Sequence, residues 1–89
     1  MPTWEVRTDR RQPRRPELLA ELRALGSSIE GLSVEVLTEE EYLTGPDGGG
    51  FRDFATLARI SHQEERALEL VAEELIGLFG WLVDFAAQE

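Results

Sequence analysis

Leu75-Ile76-Gly77-Leu78-Phe79-Gly80-Trp81-Leu82-Val83 is the longest run of the chain without a charged residue. A membrane-spanning helix needs about 20 such residues. The run is therefore too short to cross a bilayer, yet apolar enough to need covering.

Its upstream flank reads as helix. Ser61-His62-Gln63-Glu64 has the spacing of a capping box, and apolar residues recur after it at helical intervals. The spacing predicts one long helix over residues 62–87. At about 100° per residue, Leu68, Val71, Ala72, Leu75, Leu78, Phe79, Leu82 and Ala86 share one broad face, which would pack on the domain. Opposite lie His62, Glu65, Arg66, Glu69 and Glu73. Further along, that second side turns into Ile76, Gly77, Gly80 and Val83, with Trp81 on a flank shared with Leu70. A helix apolar all round must be buried all round. A domain of 89 residues has little material to do that alone. The expectation is an intermolecular contact, a homodimer through this helix, made by Leu70, Ile76, Gly77, Gly80, Trp81 and Val83. Gly77 and Gly80 each cost about 1 kcal/mol of helix propensity against alanine, and close approach of a second helix would offset that.

Working back towards the N-terminus, Phe51, Phe54, Ala55 and Ala58 keep helical spacing and predict a helix over 51–60. Gly45 to Gly50 reads as a flexible loop. Thr38-Glu39-Glu40-Glu41 is a second capping box and opens a short helix over 39–44. Residues 32–37 alternate, with Val34 and Val36 on one face, as does Trp4-Glu5-Val6-Arg7 within 3–8. These are two short strands. Between them Pro16 suits a first helical turn, Leu18, Leu22 and Leu25 form a stripe, and Gly26 suits a left-handed stop, giving a helix over 16–25. Residues 9–15, with Pro13 among arginines, read as a basic linker. The whole is one small domain, a helix-rich α+β chain with four helices and two strands, or, as the alternative, nearly all α.

Charge narrows the partners. The net charge is −9, all nine basic residues are arginine, and there is no cysteine. Residues 1–15 carry +3 and residues 16–89 carry −12. The acidic body repels nucleic-acid phosphates within a Debye length of about 8 Å, so it is not expected to bind them directly. Acidic flanks likewise disfavour an anionic membrane surface. The N-terminus lacks a signal-peptide pattern, and the chain reads as soluble and cytoplasmic.

Chemistry-bearing patterns are thin. His62, Glu65 and Glu69 share a helix face, but three ligands on one exposed helix do not enclose an ion. Glu39-Glu40-Glu41 and Glu64-Glu65 sit at helix starts, where the dipole favours the charged form, so they read as caps rather than general acids. Asp47-Gly48-Gly49-Gly50 lacks the lysine of a phosphate loop. The turn at Leu57–Ser61 is a poor helix-turn-helix, because acidic side chains would open the reading helix. Pro13-Arg14-Arg15-Pro16 has the form of a proline-rich ligand motif but is too short to be specific. No catalytic residue, metal or cofactor is expected. The sequence points to a non-enzymatic acidic protein–protein interaction module: an adaptor, regulator or small accessory subunit. The alternative is an acidic inhibitor of the antitoxin kind, whose charge imitates nucleic acid and blocks a basic partner.

Overall fold

The computed structural model describes residues 2–44 and 54–87. Its elements run β1 (Thr3–Asp9), α1 (Arg15–Ser28), β2 (Ser33–Val36), α2 (Glu39–Thr44), β3 (Phe54–Ser61), α3 (Glu65–Phe79), a 3₁₀ turn η1 (Gly80–Leu82) and β4 (Val83–Ala87). The four strands form one sheet in the order β2-β3-β1-β4, and every neighbouring pair is antiparallel. β1 and β2 therefore run parallel with β3 between them, while β3 and β4 run parallel with β1 between them. Each pair is bridged by a helix. This is the interleaved β-α-β-β-α-β arrangement of ferredoxin-like folds, with α2 added between β2 and β3.

Both long helices cover one face of the sheet. Leu18, Leu19 and Leu22 of α1 and Leu68, Val71, Leu75 and Phe79 of α3 pack against Val6, Ala55, Leu57, Ala58, Ile60 and Val83. Tyr42 of α2 closes one end, fully buried, with its hydroxyl donating to the Asp9 carbonyl and the Arg15 guanidinium 5.0 Å over its ring.

The fold corrects the sequence expectation at three places: the described residues form three α-helices and four strands, not four helices and two strands. Residues 54–61 are a central strand instead of a helix. The register shifts between Val6 and Arg7, leaving Leu57 as an extra residue on β3. Leu57 and Ala58 are then both buried, as are Phe54 and Ala55, so two adjacent buried pairs along the strand imitate helical spacing. Residues 51–53 and the glycine-rich loop at 45–50 lie outside the described residues.

The long helix over 62–87 ends at Phe79. Gly80 adopts φ 61°, ψ −137°, which breaks the helix while its N–H still reaches the Ile76 carbonyl. Beyond it Val83, Phe85 and Ala87 alternate with Asp84 and Ala86 as an edge strand against β1. The dimer-forming long helix therefore does not exist. The helix expected to stop at Gly26 continues to Ser28. A β-carbon at Gly26 would meet Val34 Cγ2 at 3.1 Å, so this glycine lets α1 approach β2, and Gly31, with φ 82°, takes the positive-φ position. The sheet is not nearly all-α filler either: β1, β3 and β4 together supply much of the core.

Candidate functional site

The open face of the sheet occupies itself. The register sets Arg59 opposite Glu5 on one side and Glu35 on the other, and Arg7 opposite Asp84. Arg59 Nη1 lies 3.5 Å from Glu35 Oε1, Arg7 Nη2 lies 3.5 Å from Glu5 Oε1, and the Thr56 hydroxyl donates to Glu5 Oε2 at 2.5 Å. The Arg59–Glu35 and Thr56–Glu5 contacts cross between strands and the Arg7–Glu5 pair runs along β1, and together they hold a solvated face. They leave its two arginines committed to carboxylates, a poor surface for reading phosphates.

The basic segment at 9–15 is likewise engaged in the fold. Arg10 Nη1 donates to the Tyr42 and Leu43 carbonyls at 3.1 and 2.7 Å, Arg14 stacks 4.5 Å above the Phe79 ring and pairs with Glu17, and Arg15 covers Tyr42. The Pro13–Pro16 motif has both of its arginines occupied.

His62 behaves as a joint. Its Nδ1 accepts the Glu64 N–H at 2.9 Å, at the entry to α3, and its Nε2 lies 2.9 Å from the Glu30 carbonyl between α1 and β2. Ser61 closes β3, so the expected capping box from Ser61 to Glu64 gives way to this ring. The Thr38–Glu41 box does form, the Glu41 N–H donating to Thr38 Oγ1 at 3.1 Å and the Thr38 N–H to Glu41 Oε1 at 3.2 Å. Among the described residues no group of three or more His, Asp or Glu side chains is placed to hold a metal ion. Two shallow grooves flank α1: one of about 470 Å³ beside Leu32, Val34 and Val36, and one of about 320 Å³ between Arg14, Glu17, Leu78 and Phe79. Neither brings a nucleophile to a base.

A set of large apolar side chains is exposed beside these groups. Trp81 is 72% exposed, Ile76 50%, Leu78 47% and Leu70 45%. α3 aims one stripe, Leu68, Val71, Leu75 and Phe79, into the core, and so must aim Leu70 and Gly77 outward at its 3.6-residue period. Gly77 has open space where a side chain would stand. Trp81 sits on a braced turn rather than a loop tip, because Thr8 Oγ1, itself buried, donates to the Leu82 carbonyl at 2.8 Å.

Of the residues singled out from sequence, Leu70, Ile76, Gly77 and Trp81 lie on the surface, Gly80 is half-buried at the helix stop, and Val83 is buried at the start of β4. Leu70 and Gly77 share the outward side of α3, whereas Ile76 lies on the flank away from Leu78 and α1. Leu78, which sequence reasoning placed in the core stripe, is half-exposed at the rim of the α1–α3 groove.

Acidic side chains surround this apolar set. Glu65, Glu69, Glu73 and Glu74 are exposed along α3, with Arg66 bonded to Glu69 at 3.0 Å and to Glu73 at 3.3 Å. Those two carboxylates hold the Arg66 guanidinium above its ordinary pKa. Among the described residues no helix is long and apolar enough to cross a membrane. Comparisons with protein-family models, with curated proteins and with solved structures find no match to this chain.

Proposed function

We propose that this chain is a non-enzymatic, acidic protein–protein interaction module, an adaptor, regulator or small accessory subunit, which docks a partner protein on the surface around Trp81. The observation that carries the reading is the exposure of Trp81 on a braced turn: the residue is 72% exposed, the highest of the large apolar residues on the described surface. Tryptophan is among the commonest anchors of protein contacts, and exposed apolar surface rimmed by polar residues marks interaction sites. Leu70, Ile76 and Gly77 extend the surface along α3. Gly77 supports the reading because nothing in its own chain requires a glycine there.

The test is comparative capture of binding proteins by the tagged wild type, Trp81→Glu and Leu43→Glu, in physiological salt and in about 0.5 M salt. Leu43 is a similarly exposed apolar residue on α2. The expected result is a partner held by the wild type and Leu43→Glu at both salt concentrations and lost from Trp81→Glu. Apolar anchoring survives screening, whereas charge imitation does not. A partner that Trp81→Glu still holds, or that leaves when salt is raised, overturns the reading.

A further inference from the structure

We infer that the free edge of β4 is a self-pairing site, and that a second copy of this chain adds its own β4 there, antiparallel across a two-fold axis at Phe85. This goes beyond the docking surface around Trp81 and does not rest on it.

β4 ends the sheet on one side, so among the described residues no strand lies beside the outward backbone N–H and C=O groups of Val83–Ala87. Proteins ordinarily spoil such an edge with lysine, proline, a bulge or a cover. β4 contains neither lysine nor proline, and its register with β1 runs unbroken from Thr8↔Val83 to Trp4↔Ala87. Its only charge is Asp84. Backbone groups at strand spacing recognise an extended strand and little else, which fixes the chemistry of the occupant.

The sequence of the edge then favours its own copy. A two-fold axis at Phe85 sets Val83 opposite Ala87 of the second copy, Phe85 opposite Phe85, and Asp84 opposite Ala86. Residues 83, 85 and 87 lie on the helix-covered side and 84 and 86 on the open side, so both faces continue across the junction. The one charged residue meets the smallest side chain, and like charges are never directly opposed. The open-face charge ladder also continues in sense: Arg7 of each copy already faces its own Asp84. The product is a continuous eight-stranded sheet from two four-stranded ones. The two Val83 residues, one at each end of the junction, stand about 14 Å apart, with each Trp81 beyond them. Such an isologous contact closes on itself and stops at two copies.

Because both partners are acidic, the pairing strengthens as salt rises; a basic foreign strand would bind more weakly instead. The experiment is light scattering of the wild type over a range of concentration and salt, with amide hydrogen exchange read residue by residue. The expected result is a dimer that tightens with salt, with alternate amides of Val83–Ala87 slowed only at dimer-forming concentrations. Ala86→Glu, which sets two carboxylates against the two Asp84 residues, should weaken the dimer about tenfold. Ala86→Lys, opposite Glu5 in its own chain and Asp84 in the other, should keep it; circular dichroism checks that both variants fold. A monomer at every concentration, a dimer whose β4 amides exchange as fast as in the monomer, or equal weakening by glutamate and lysine overturns the inference. Partner capture by Trp81 needs no second copy, so that reading survives such a result.

Discussion

The guanidinium of Arg10 donates to the carbonyl oxygen of Leu43 at 2.7 Å, tying the end of β1 to the last turn of α2. The same nitrogen reaches the Tyr42 carbonyl at 3.1 Å. These carbonyls are among those a helix of only six residues leaves without intrahelical partners. A cation there also suits the negative end of the helix dipole. Arg10→Ala should cost about 1–2 kcal/mol, since hydrogen bonds from a charged donor are lost at a partly solvated site. A thermal unfolding scan checks it, with Tm expected to fall by at least about 4 °C.

His62 is held by two backbone groups of opposite kind. Because Nδ1 accepts an N–H, the neutral ring carries its proton on Nε2 and donates to Glu30. Nitrogen-15 spectra of the imidazole at mildly alkaline pH should show that tautomer. His62→Ala removes both bonds and should cost about 1 kcal/mol, in the range of a lost helix cap. His62→Asn should recover part of this, because an asparagine oxygen can accept the N–H two residues on but cannot span to Glu30.

Gly77 and Gly80 should respond to alanine with opposite signs. Gly77 lies inside α3 with open space around the absent side chain, so Gly77→Ala should stabilise by about 1 kcal/mol through helix propensity. Gly80 has φ 61° and ψ −137°, a conformation that side chains resist, so Gly80→Ala should destabilise by about 1–3 kcal/mol. Denaturant unfolding of the two variants checks the pair. Should Gly77→Ala be more stable yet capture less partner, the glycine serves the contact rather than the fold.

Those two glycines also mark where the sequence could be read and where it could not. β1, β2 and α2 were legible, because alternation and a capping box are local signals that the tertiary structure leaves in place. The stop at Gly80 was not, since a helical wheel drawn through it still assigns Leu82 to the apolar side by coincidence. β3 was hidden by Leu57, whose extra position disguises strand alternation. The same error shaped the site. Apolar residues too numerous for a surface helix were visible in the sequence. Spacing alone groups Val83 with Trp81, because only the turn at Gly80 sends one inward and leaves the other in solvent.

Leu75 and Ile76 are neighbours of nearly equal size with opposite fates, one fully buried and the other 50% exposed. Leu75 belongs to the buried cluster that α1, α3 and the sheet share, so Leu75→Ala leaves a cavity and should cost about 2–5 kcal/mol. Ile76→Ala removes only area already half in water and should cost under about 1 kcal/mol. Binding should invert the order. With both variants held below their unfolding transitions, Ile76→Ala should weaken partner capture severalfold while Leu75→Ala, once folded, should not. A pairing of the two effects the other way round would place the contact surface on a different side of α3. Equal losses of stability would mean that the helix does not turn its Leu68–Phe79 stripe towards the sheet. Chemical unfolding curves and capture from the same preparations decide both, because stability and contact are carried here by adjacent residues on different sides of the helix.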